Sequence, residues 1–141
     1  MTDSTSLVLA VALSAAAAMS APSQTCLNYE PAVVTLTGKL TIGAFAGRPN
    51  YEDTLKGDEP EHPFILRLDR TVCVQADSSS ELNNESERDV REVQVIVTSD
   101  SVSVSRALEG HRIQVTGSLV HAHTAHHHTK VLIWARVLRA A

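Results

Sequence analysis

Aromatic residues are scarce in this chain: one Trp, two Tyr and two Phe, or 4% of 141 residues. Any core must therefore be built mainly from Val, Leu, Ile and Ala. Basic residues are not in excess either. Lys and Arg number 12 against 16 Asp and Glu, a formal net charge of −4 with histidine neutral. That balance argues against a general nucleic-acid binder, which would carry a basic footprint. The apolar run from Leu7 to Met19, broken only by Ser14, falls short of the roughly 20 residues a membrane-spanning helix needs. There is no Cys-x-x-Cys pair, no Gly-x-Ser-x-Gly, no His-Glu-x-x-His and no phosphate-binding glycine loop. Each of those motifs would tie a residue spacing to a chemistry, and without them the chain reads as non-catalytic.

A hydrophobic share of 43% at this length favours one globular domain. Residues 1–21 have the pattern of a secretion signal. The Leu7–Met19 run suits a signal core, and Ala18/Ser20 or Met19/Ala21 can fill the cleavage positions. The segment before the run departs from that pattern, since it has no Lys or Arg and carries Asp3. A buried alanine-rich helix is the other reading. Signal removal would leave residues 22–141 as a single domain with no membrane span, in the periplasm or secreted. In an oxidising compartment the pair Cys26 and Cys73 reads as a disulfide, and its long loop implies a stabilisation of roughly 3–4 kcal/mol. Two separate buried thiols are the alternative.

Five segments then read as strands. In AVVTLTGKLTI (32–42), Val34, Leu36, Leu40 and Ile42 share one parity and Gly38 marks a bend. FILRLDRTVCV (64–74), VQVIVT (93–98), HRIQVTGSLV (111–120) and KVLIWARVL (130–138) follow, with a second bend at Gly117. Ser101 to Glu109, closed by Gly110, reads as a short helix with a glycine cap. The order is strand, long loop, strand, loop, strand, short helix, strand, hairpin, strand. It predicts an all-β fold with one helix, specifically a five-stranded barrel like the oligonucleotide/oligosaccharide-binding (OB) fold, with a β-sandwich as the alternative.

Two connections stand out. Gly43 to Glu61 is too long for an idle turn and gathers Tyr51, Glu52, Asp53, Asp58, Glu59 and Glu61. A binding loop built on Tyr51, Glu52, Asp53, Asp58 and Glu61 competes there with a merely solvated acidic loop, and the spacing fits no EF-hand. The second connection, HAHTAHHHT (121–129), holds five of the seven histidines. Residues i and i+2 of a strand face one side, so His121 and His123 project together. A two-residue turn would add His126 and His128. Three- and four-residue loops would add His127 or His128. Three imidazoles suffice as a first shell for Zn²⁺ or Cu²⁺, so His121, His123, His126 and His128 are candidate metal ligands. Alternatively the imidazoles bond to backbone and lock the turn without metal, or form a pH-sensitive partner surface, since histidine titrates near ~6.5.

The segments CLNYEP, RPNYEDTLKGDEPE, LRLD, VTGSL and HAHTAHHHTKVLI together resemble an uncharacterised bacterial family, the domain of unknown function 4431. The resemblance runs from about Cys26 to the C-terminus. It implies an exported β-domain, a glycine in the turn where this chain has Ala125, and no established activity. The expectation is an exported binding module whose surface joins the acidic loop to the histidine hairpin, with an envelope protein or a glycan as partner. The rival readings are a Zn/Cu protein or metal-dependent hydrolase on the His121–His128 cluster, and a purely structural domain.

Overall fold

The computed structural model describes residues 10–19 and 24–141. Residues 10–19 are exposed and without regular secondary structure. The rest of the signal-like segment, with the cleavage candidates Ser20 and Ala21, lies outside the described residues. Among the described residues no helix is long and apolar enough to cross a membrane.

The strands are β1 (Leu27–Asn28), β2 (Val34–Ile42), β3 (Phe45–Ala46), β4 (Pro60–Glu61), β5 (Phe64–Gln75), β6 (Glu87–Ile96), β7 (Arg112–His121) and β8 (Val131–Ala140), with one helix, α1 (Val102–Ala107), between β6 and β7. The five long strands pair in the order β5-β2-β7-β8-β6, and β6 returns to β5. The sheet therefore closes into a barrel, which excludes the sandwich. All of these pairings are antiparallel except β6–β8. A barrel of this strand order, with a helix between its third and fourth long strands, has the OB topology. β1 adds a sixth strand, parallel to β5, and the Cys26–Cys73 disulfide ties its approach to β5.

Leu36, Leu40, Leu66, Val93, Val95, Ile113, Val115, Leu119, Val131 and Ile133 point inward and are almost fully buried. These are aliphatic residues, as the scarcity of aromatics required. Two glycines let the strands approach closely. A Cβ on Gly38 would lie 2.1 Å from the Arg67 carbonyl oxygen, and one on Gly117 would lie 2.0 Å from that of Trp134. Gly117 also sits at the register shift between β7 and β8. The outward face carries a second buried row, paired across the strands: Ile65 opposite Gln94, Gln94 opposite Leu132, and Leu132 opposite Val120. Loops cover part of this row. The 43–63 connection passes over Ile65, and the hairpin tip bonds to Gln94.

The structure departs from the sequence expectation in three places. β6 begins at Glu87, six residues before the expected strand, because the far half of β5 supplies partners (Val72 for Val90, Val74 for Glu87) across two irregularities. The charged residues there look like a loop only when that partner is unknown. The helix is shorter than expected, a 3-10 turn at Ser99–Ser101 running into α1. Gly110 adopts φ 81 and donates to Leu40 O. The hairpin is not tight: the ladder stops at His121 opposite Val131, and residues 122–130 form a long tip.

Candidate functional site

Asp58 organises the 43–63 loop. Its carboxylate is buried and accepts the backbone N–H groups of Asn50, Glu52 and Asp53 at 2.8–3.0 Å. These donors favour the charged form and hold its pKa below the ordinary carboxylate range, against the opposing effect of burial. Asp53 caps the next turn by accepting from Leu55 N. Tyr51, between two of the residues bound to Asp58, is held at φ 56, a region bulky residues avoid. Its N–H donates to Gly47 O at 2.8 Å. The loop thus spends two of its carboxylates on its own backbone and in doing so presents Tyr51.

The hairpin tip is fixed from β6. Gln94 is 5% exposed; its amide donates to His126 O at 3.1 Å and accepts from His128 N at 2.7 Å. Its backbone N–H donates to Thr129 Oγ1. These bonds take the tip's backbone away from the β7–β8 ladder, which is why no two- to four-residue turn forms.

The two loops meet side chain to side chain. His126 Nδ1 donates to Glu61 Oε1 at 2.5 Å, and His128 Nε2 donates to Glu61 Oε2 at 2.8 Å. Tyr51 Oη lies 3.0 Å from His126 Nε2. Phe45 stacks on His128 with ring centroids 4.2 Å apart. One carboxylate is thus clasped by two imidazoles from the other loop. Burial pushes the Glu61 pKa up, but the bonds from His128 and His126 outweigh it and hold the group below its ordinary value.

The remaining histidines turn elsewhere. His123 donates through Nδ1 to His121 O, and its backbone N–H donates to His127 Nδ1. Burial, reinforced by His123, His126 and His128, lowers the His127 pKa. His121 faces Glu87. The candidate ligands His121, His123, His126 and His128 thus have different first partners: Glu87 for His121, the His121 carbonyl for His123, and Glu61 for His126 and His128. Of the acidic-loop candidates, Tyr51 and Glu61 reach the clasp, Asp53 and Asp58 hold their own loop, and Glu52 is exposed. Sequence reasoning missed Gln94, Phe45, Glu85 and Glu87. Only Gln94 left a signal, as the lone polar residue in VQVIV.

The model of one family matches part of this chain: the domain of unknown function DUF4431, over residues 92–134. The DUF4431 match begins inside β6, takes in α1, β7 and the whole histidine tip, and ends in β8. It covers Gln94 and the histidines but neither the 43–63 loop nor Glu85 and Glu87. No curated protein matches the chain.

Proposed function

We propose that this chain is an exported, non-catalytic binding module that takes an envelope protein or glycan on the surface shared by the two clasped loops. The observation that carries this reading is the engagement of Glu61 by His126 and His128. In OB barrels, the connection between the first and second long strands and that between the fourth and fifth flank the ligand face. Residues 43–63 and 122–130 are those two connections, and the clasp makes them one surface. Tyr51, Phe45 and the imidazoles offer rigid rings and hydrogen-bonding edges for recognition. The disulfide and the signal-like N-terminal run support a periplasmic or secreted setting.

The test is a glycan array together with photo-crosslinking in envelope extract, comparing the wild type with Tyr51→Ala/Glu61→Ala/His126→Ala. A discrete glycan class or crosslinked partner, lost in the triple variant while far-UV circular dichroism is unchanged, is the expected result. The same glycan or partner bound equally by both proteins would overturn the assignment of the surface.

A further inference from the structure

A second cluster lies apart from the clasp, where β7 ends and β6 begins. His121 is the last residue of β7 and Glu87 the first of β6, with Glu85 two residues before it. His121 Nε2 stands 2.9 Å from Glu87 Oε1 and 3.7 Å from Glu85 Oε2. Among the described residues, this is the group of three His, Cys, Asp or Glu side chains whose ligand atoms all lie within 4.8 Å of one another. Glu61, His126 and His128 do not meet that condition.

The imidazole is aimed. A carbonyl only accepts, so the 3.0 Å contact between His121 Nδ1 and Ala122 O puts the proton on Nδ1. A neutral ring then directs the Nε2 lone pair at the two carboxylates. Metal-bound histidines are oriented in this way, with the second ring nitrogen donating to a carbonyl. The backbone around the ring is also held: His121 N donates to Asn83 Oδ1 at 2.9 Å, and Asn83 is 2% exposed. Tyr29 meets the ring edge-on and donates its hydroxyl to Glu85 O at 2.9 Å.

With a neutral ring, the two carboxylates have one cation beside them among the described residues, Lys130. A protonated Nε2 could serve Glu87 but would leave Glu85 beyond hydrogen-bonding distance. Lys130 Nζ reaches only Glu87, at 3.5 Å, from a side chain 78% exposed. The spacing fits a small divalent ion. Ligand atoms about 2.0–2.1 Å from a tetrahedral Zn²⁺ stand about 3.3 Å apart, and the two gaps to His121 bracket that value.

We propose that Glu85, Glu87 and His121 form a binding site for one divalent transition-metal ion of the Zn²⁺ or Mn²⁺ class, with the remaining positions open to water on the Glu85 side. Glu85 has a side chain 69% exposed, whereas Glu87 and His121 are 12% and 13% exposed, so the site opens in one direction. It does not depend on the binding surface proposed above and uses only one of the histidines that spacing alone suggested.

The experiment is isothermal titration of the full chain, purified without a histidine tag or metal resin, with ZnCl₂ alone and MnCl₂ alone. Visible absorption of the Co²⁺-loaded protein reports the imidazole ligand. The expected result is saturable binding of one ion per chain. Glu85→Gln, at an exposed side chain that leaves the fold intact, should weaken it by about 100-fold, the upper end of what even outer-shell changes cost. His121→Gln should abolish both the binding and the cobalt spectrum. His126→Ala/His128→Ala, which dismantles the clasp, should retain the site. Absence of saturable binding, binding indifferent to Glu85→Gln, or loss in the His126/His128 variant would each overturn the proposal. None of these outcomes bears on glycan or partner capture at the clasp.

Discussion

Replacing Gln94 by leucine tests the idea that β6 holds the histidine tip. The substitution keeps the approximate volume of the side chain but removes a donor and an acceptor at once. His128 N–H and His126 C=O then lose partners at 2.7 and 3.1 Å. An unsatisfied buried polar group costs about 1–3 kcal/mol. The two losses are unequal. The His126 side chain is 51% exposed, so its carbonyl can turn to water, whereas that of His128 is 10% exposed and its amide lies against the barrel. Taking most of one penalty and a fraction of the other gives about 2–3 kcal/mol. With a urea slope of roughly 1–3 kcal/mol/M for a small domain, the midpoint should fall by about 1–2 M. Equilibrium unfolding with the disulfide intact measures this, and amide exchange at His128 should accelerate in parallel. A midpoint within about 0.3 M of wild type, with His128 protection unchanged, would show that the tip is held by something other than Gln94.

Further expectations follow from the same geometry. Gly117→Ala should destabilise the barrel by about 3 kcal/mol or prevent folding, because its Cβ would meet backbone of β8 at 2.0 Å; thermal melting reads this directly. Replacing Cys26 and Cys73 with alanine frees a 47-residue loop and should cost about 4 kcal/mol on the chain-entropy model, measured by urea unfolding against the oxidised protein. For Glu61 the folded pKa lies below the unfolded one, so its contribution is fully present above the unfolded value, ~4.3. It is lost as pH falls through the folded value. NMR titration of the Glu61 carboxyl should show its contacts with His126 and His128 kept above that range and released only below it. His127, also lowered, has the same sign at a higher pH: it resists protonation in the fold, so the stability it contributes falls as pH drops below ~6.5. His127→Gln should flatten that limb of the stability–pH curve.

Much of the architecture was legible in the residues themselves. Alternation in VTLTGKL and IQVTGSL marks an inner and an outer face whatever the partner strand is. Gly38 and Gly117 mark where the two strands bend; that they are also points of close approach comes from the fold. Cys26 and Cys73 allowed a single intramolecular pairing. The loop order, with a helix after the third long strand, leaves few closed topologies. These features are local, or nearly so, and a linear chain records them.

The site was not legible in the same way. Spacing put four histidines on one face only by assuming that the ladder ran to a tight turn. In the fold, Gln94 takes the tip's backbone and bends it over β6, so His126 and His128 reach Glu61, more than sixty residues earlier, while His121 is left with Glu85 and Glu87. Which carboxylate meets which imidazole depends on strand closure and on hydrogen bonds from a buried glutamine. Periodicity carries no record of either. The sequence by itself determined an aliphatic all-β domain with one short helix, two polar connections and a cysteine pair placed to bridge; closure into a barrel and the disulfide were its leading expectations, with a sandwich and separate thiols as the alternatives. Only the tertiary structure decided that those connections clasp each other and that the histidines divide among separate partners, because contacts between distant segments are set by how the sheet closes and not by spacing along the chain.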